Sequence, residues 1–85
     1  MEFIKEKNRI YCENEDGKVV AEIDFDYIGN NTYNISHTFV DESLRGQGIA
    51  QNLVQMAVKE IEEKGAKVQA TCSYAKHYLE KNKII

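Results

Sequence analysis

A chain of 85 residues has room for one domain and one modest core, which buries roughly 60–65% of the surface the unfolded chain exposes. With 42% hydrophobic and 29% charged residues the composition argues against disorder, and a formal net charge of −3 without a Lys/Arg cluster argues against nucleic-acid binding. No apolar run approaches the ~18 residues of a membrane span. Met1–Lys7 is too charged for a signal peptide. Cys12 and Cys72 are too few for a disulfide framework, and neither they nor His37 and His77 show metal-ligand spacing. The expectation is one cytoplasmic domain over residues 1–85, with free thiols, no metal, no nucleic acid and no membrane partner.

In chain order, Arg9–Glu13 carries Ile10, Tyr11 and Cys12 and reads as a strand, followed by the turn Asn14-Glu15-Asp16-Gly17. Val19, Ala21, Ile23 and Phe25 then alternate with Lys18, Val20, Glu22, Asp24 and Asp26, the period of a strand with one buried face. Gly29-Asn30-Asn31 marks a second turn. Tyr33, Ile35, His37 and Phe39 alternate with Asn34, Ser36 and Thr38 in a third strand that runs into Val40 and is expected to present Ile35, His37 and Phe39 on one face.

Beyond Arg45 the period changes. Ile49, Ala50, Leu53, Val54, Ala57, Val58 and Ile61 recur at three and four, predicting an amphipathic helix of four to five turns, with a Glu60–Lys64 pair and Gly65 past its end. Ala66–Cys72 alternates again as a fourth strand. Ser73 is placed to cap a short helix carrying Ala75, Tyr78 and Leu79. The fold class is α+β in the order β-β-β-α-β-α: an antiparallel meander running into a βαβ unit whose crossover should be right-handed and its strands parallel.

Arg45-Gly46-Gln47-Gly48-Ile49-Ala50 lies between a strand's C-terminal end and a helix's N-terminus. First-turn amides lack intrahelical partners and carry the positive end of the helix dipole. Two glycines let a bulky anion approach the main chain, and Arg45 adds a charge, so the segment suits a pyrophosphate. The P-loop would need Lys-Ser/Thr after its second glycine, where Ile49-Ala50 stands, and the dinucleotide fingerprint would need a third glycine at Gln51.

Arg45-x-x-Gly48-x-Ala50 satisfies the Q/R-x-x-G-x-G/A signature of the GNAT superfamily of acyl-CoA N-acyltransferases, and Val40–Ala50 resembles its V-x-P-x-x-R-G-x-G-I-G/A, with Glu42 in place of the proline. His37-Thr38-Phe39-Val40 before the loop and Cys72 after the next strand are similar to small single-domain bacterial members. The resemblance covers about half the chain, Ile35 to Lys81, and implies a minimal GNAT fold binding acetyl-CoA. Arg45, Gly46, Gln47, Gly48, Ile49 and Ala50 would then hold the pyrophosphate. Main-chain groups of Phe39 and Val40 would bind the pantetheine arm and polarise the thioester carbonyl, and Tyr78 would flank the arm.

Larger relatives carry A-x-x-L-Y-E-K-x-G-F in the last helix, the tyrosine protonating the leaving thiolate. Here Leu79 takes that place, Tyr78 falls one residue earlier, and Lys83-Ile84 replace Gly-Phe. Cys72, expected at the end of the fourth strand, becomes the candidate acid or nucleophile, or else a small buried hydrophobe. His37 is the candidate base for an amine that must lose a proton before attack, or a hydrogen-bonded core histidine; Glu42 is a weaker rival for the base. Tyr33 and Tyr74 read as packing residues, His77 as solvent-exposed and Cys12 as core. The implied reaction transfers an acetyl group to an unidentified small-molecule or protein amine. The alternative, motivated by a tight turn where larger relatives have helices, is a CoA-binding or protein-interaction module of the same fold without turnover.

Overall fold

The computed structural model describes residues 2–85; Met1, the head of the charged N-terminal segment, lies outside them. Strands β1 (Ile4–Glu6), β2 (Arg9–Glu13), β3 (Val19–Gly29) and β4 (Thr32–Val40) form an antiparallel meander; helix α1 (Ile49–Glu63) crosses to strand β5 (Lys67–Ala70), and helix α2 (Ser73–Lys81) follows. The five strands form one sheet in sequence order, β4 and β5 being the parallel pair that the βαβ reading requires. Strand β1 is an addition to the expected elements: three exposed, partly charged residues give no hydrophobic alternation to read.

The apolar face of the sheet (Ile10, Cys12, Ala21, Ile23, Phe25, Ile35) packs with Leu53, Val54, Ala57 and Ile61 of α1 and with Ala75 and Leu79 of α2 in one core. Both helices thus cover the same face, and among the described residues no element covers the other. Nor, among them, is any helix long and apolar enough to cross a membrane.

Gly65 closes α1 as expected: at φ 72° it lets Ala66 N–H reach Ile61 O (3.2 Å) and its own N–H reach Glu62 O (2.9 Å). Glu60, however, pairs with Lys5 of β1 (3.1 Å), and Lys64 lies 4.9 Å from the Tyr33 ring centroid, so the Glu60–Lys64 pair is replaced by tertiary partners. Strand β5 ends at Ala70. Cys72 lies two residues beyond it as the N-cap of α2, and Ser73 is the first helical residue.

A β-bulge in β4 overturns the expected strand faces. Asp24 is opposite His37 but Phe25 is opposite Ile35, leaving Ser36 as an extra residue. One extra residue inverts the alternation. Thr38 and Val40, opposite Ile23 and Ala21, therefore join Ile35 on the helix-covered face, while His37 and Phe39 point to the bare one. His37 is exposed and is not a core histidine.

Candidate active site

The chain leaves β4 through Asp41, whose N–H donates to Val20 O (2.8 Å) and whose Oδ2 accepts from Ser43 N (3.1 Å) and Ser43 Oγ (2.6 Å). Those bonds from Ser43 hold the Asp41 carboxyl below the usual carboxylate range and fix a 3₁₀ turn over Glu42–Leu44, on which Glu42 is exposed. Arg45-Gly46-Gln47-Gly48 then leads into α1 with Gly46 at φ 84° and Gly48, the N-cap, at φ 72°. No side chain caps α1 and no acidic residue occupies its first turn. Asn52 N–H is bonded to Gly48 O (3.1 Å), which leaves the amides of Ile49, Ala50 and Gln51 at the positive end of the helix.

A cavity of about 220 Å³ opens on these amides, lined by Arg45, Gly46, Gly48, Ile49, Ala50 and Gln51 and walled by Val40, Leu44 and Tyr74. Gln47, Phe39 and Tyr78 do not line it. Tyr78 is half-buried against the core, and Tyr74, read from sequence as a packing residue, stands at the cavity instead. The missed signal is helical phase: Tyr74 and Tyr78 are one turn apart on α2, and only the position of the helix N-terminus beside the loop says which one reaches it.

Beside the cavity the sheet splits. The β4–β5 ladder ends at Ile35–Ala70; Thr71 and Cys72 both donate their N–H to Ile35 O (3.1 and 3.2 Å), and the chain turns into α2. Ser36–Val40 therefore has no β5 neighbour. Because Asp41 N–H is spent on Val20, alternation also turns the main-chain groups of Phe39 toward β3 and those of Thr38 and Val40 into the gap. Of the expected main-chain pair, Val40 faces the gap and Phe39 does not.

Cys72 borders the same gap, half-buried, its Sγ 3.5 Å from Thr38 Oγ1. Burial raises the Cys72 thiol. The Thr38 hydroxyl and the amides of Ala75, Tyr74 and Thr38 outweigh it, so that the group is more acidic than an ordinary thiol. No formal capping bond from Sγ closes the helix, yet the thiol sits at its positive end. Thr38 had no sequence signal, since the bulge that turns it inward has none. Cys12 is the opposite case: fully buried in the core, its thiol is pushed up by that burial.

On the bare face the register aligns two rows across four strands, Glu6–Arg9–Asp24–His37 and Ile4–Tyr11–Glu22–Phe39. Arg9 sits between the rows, 3.0 Å from Glu6, 3.5 Å from Glu22 and 3.8 Å from the Tyr11 ring centroid. Burial, then a hydrogen bond and repulsion from Glu22, push the Asp24 carboxyl up to about 6 against the opposing charges of His37 and Arg9. His77 is exposed on α2, away from these groups.

Comparison with known proteins agrees with this geometry. Residues 9–84 match the model of the GCN5-related N-acetyl-transferase family. A GCN5-like protein of Staphylococcus aureus solved by NMR superposes with a TM-score of 0.79 at 37% identity, covering 95% of this chain and 79% of that one. The GNAT protein YhbS of Escherichia coli, solved with CoA, superposes at 0.62 with 26% identity over 73% of this chain and 38% of its own. Protein NATD1 of Xenopus tropicalis is 34% identical over 58 residues, 68% of this chain, which spans about half the length of that relative (53%). A match over nearly the whole chain, on a sheet that splits beside an uncapped helix, makes this protein a member of the GCN5-related N-acetyltransferase family.

Proposed function

We propose that the chain binds acetyl-CoA and transfers its acetyl group to a primary amine. The observation that carries this reading is Val40, which walls the anion cavity and also opens its main chain into the split between β4 and β5. A phosphate-bearing group on the amides of Ile49–Gln51 is thereby continuous with a slot for an extended arm. The cradle fits such a group: its glycines hold left-handed conformations, its amides are unpaired, and no carboxylate competes in the first turn.

Acetyl-CoA supplies the acetyl group as a thioester, and the reaction R–NH₃⁺ + acetyl-CoA → R–NH–acetyl + CoA–SH + H⁺ needs a base, an oxyanion donor and an acid. His37, exposed at the border of the gap, takes the ammonium proton on its imidazole and passes it to solvent. Val40 N–H stabilises the charge that builds on the carbonyl oxygen. Cys72 Sγ–H gives its proton to the departing thiolate and recovers one from the acylated nitrogen. A second reading, a CoA-binding module without turnover, draws on the tight turn Asn14–Gly17 between β2 and β3, which leaves the bare face without helical cover.

The test is a titration with acetyl-CoA that follows backbone amides and then CoA release on adding N-α-acetyl-lysine amide. Shifts concentrated at Val40 and Gly46–Gln51, with amine-dependent CoA release, support transfer; His37→Gln should slow it about 10²-fold while acetyl-CoA affinity is kept. Shifts without release select the binding module. Shifts clustered elsewhere sink both.

A further inference from the structure

Asp24 has no place in the scheme above, yet among the described residues it is the only carboxylate in direct register with the candidate base. The β4 bulge at Ser36 is what brings the two together: without the extra residue, Ser36 and not His37 would stand opposite Asp24. Bulges beside reacting centres commonly re-aim one side chain, and this one turns an imidazole out of the core to the face, and the register position, of a half-buried carboxylate.

We propose that Asp24 is a positioning residue for His37: from the neighbouring strand its carboxylate orients the imidazole and stabilises the imidazolium that forms when His37 takes the acceptor's proton. The inference rests on the acetyl-transfer reading of the site. Directly opposed residues on one sheet face have Cβ atoms about 4.5–5.5 Å apart, within reach of a carboxylate–imidazole bond. The proton moves from the ammonium nitrogen to an imidazole nitrogen, and Asp24 remains ionised throughout.

The groups facing Asp24 are few. Arg9 of β2 stands opposite it on one side and His37 of β4 on the other, with Glu22 two residues along β3; Glu6 and Tyr11 engage Arg9. Glu22 holds Asp24 toward its protonated form, while Arg9 and His37 pull it toward the ionised one. Asp24 therefore acts on His37 only above the range in which its own proton is lost, which links the strength of the pair to pH near 6.

Two readouts on the intact chain test this. In the first, the side-chain carboxyl of Asp24 is titrated by carbon NMR in the parent, His37→Gln and Glu22→Gln. The midpoint should lie near 6, rise in His37→Gln as an attractive charge is lost, and fall in Glu22→Gln as repulsion is relieved. A midpoint that His37→Gln does not move overturns the proposal, whether or not the protein turns over. In the second, Asp24→Asn should lower the maximal rate of acetyl transfer to N-α-acetyl-lysine amide about tenfold or more and flatten the acidic limb of the pH–rate profile, with the acetyl-CoA-induced amide shifts retained. An unchanged profile in folded Asp24→Asn also overturns it. Absence of acetyl-CoA binding in the parent overturns the transfer reading alone, and the carboxyl titration still decides the Asp24–His37 pair.

Discussion

Cys72 Sγ and Thr38 Oγ1 lie 3.5 Å apart across the point where β4 and β5 separate. As a thiol Cys72 donates to Thr38; as a thiolate it accepts from the same hydroxyl, so one contact serves both protonation states. The contact depends on two backbone events, the bulge at Ser36 that turns Thr38 inward and the early end of β5 that places Cys72 at the start of α2.

That placement predicts selective chemistry. Iodoacetamide should modify Cys72 many times faster than Cys12, because the Cys72 thiol is more acidic than ordinary while burial raises the Cys12 thiol and hides it. Peptide mass mapping against time reads the two rates, and saturating CoA should protect Cys72. The same instrument separates two roles: acetyl-CoA alone adds an acetyl group to a nucleophilic Cys72 and leaves an acid unmodified. Parent-rate transfer by Cys72→Ala would remove both.

Much of the architecture was legible because it rests on period. Ile49 to Ile61 at helical spacing, and Ala21, Ile23 and Phe25 at spacing two, are core stripes that cannot be buried any other way. The loop Arg45–Ala50 was legible for a related reason, since glycines at a strand–helix joint mark a main chain that bends left-handed. His37, Phe39 and Thr38 were not. An inserted residue costs the sequence pattern nothing but inverts every side chain beyond it, so the face of β4 that borders the gap is set by pairing with β3 and is invisible in β4 alone. Glu22 and Asp24 were hidden likewise, as ordinary polar alternates whose proximity to Arg9 and His37 is a matter of cross-strand register.

Asp24 should also make stability depend on pH. Its folded carboxyl, pushed up to about 6, holds a proton more tightly than the unfolded chain does. The stability it contributes is present below the unfolded carboxylate range near 3.9 and is lost as pH rises through about 6. Asp24→Asn should therefore raise Tm relative to the parent at pH 8 and give no gain at pH 3.5. Thermal melts of both proteins across that range check the sign, and a gain confined to acid would reverse the assignment.

Lys83 occupies the left-handed conformation, φ 58°, after the end of α2, where it lets Ile84 N–H reach Leu79 O at 2.8 Å. The last-helix pattern set against this segment, A-x-x-L-Y-E-K-x-G-F, has glycine at that place. A non-glycine residue in this region costs about 1 kcal/mol, so Lys83→Gly should raise Tm by a few degrees despite the greater freedom glycine gives the unfolded chain. An unchanged Tm would mean that the last turn of α2 contributes nothing to the cooperative unit.

Gly48 gives the sharpest separation of binding from folding. It caps α1 at φ 72°, and a Cβ built on it meets nothing within 4 Å, so its requirement is conformational and steric crowding plays no part. Gly48→Val forces a β-branched residue into the left-handed region, a strain of about 1–3 kcal/mol that the native state can relieve by rotating the peptide before α1. That rotation swings the first-turn amides of Ile49 and Ala50 away from the cavity they line. The core stripe of α1, from Leu53 to Ile61, lies beyond the disturbed turn and keeps its packing. The expected result is a protein with the parent's far-ultraviolet spectrum, a Tm lower by several degrees, and acetyl-CoA affinity reduced at least tenfold in a fluorescence or NMR titration. Gly46→Ala, two positions before the helix cap, should weaken binding less. If Gly48→Val binds acetyl-CoA at the parent affinity, the amides of this loop are not what holds the pyrophosphate.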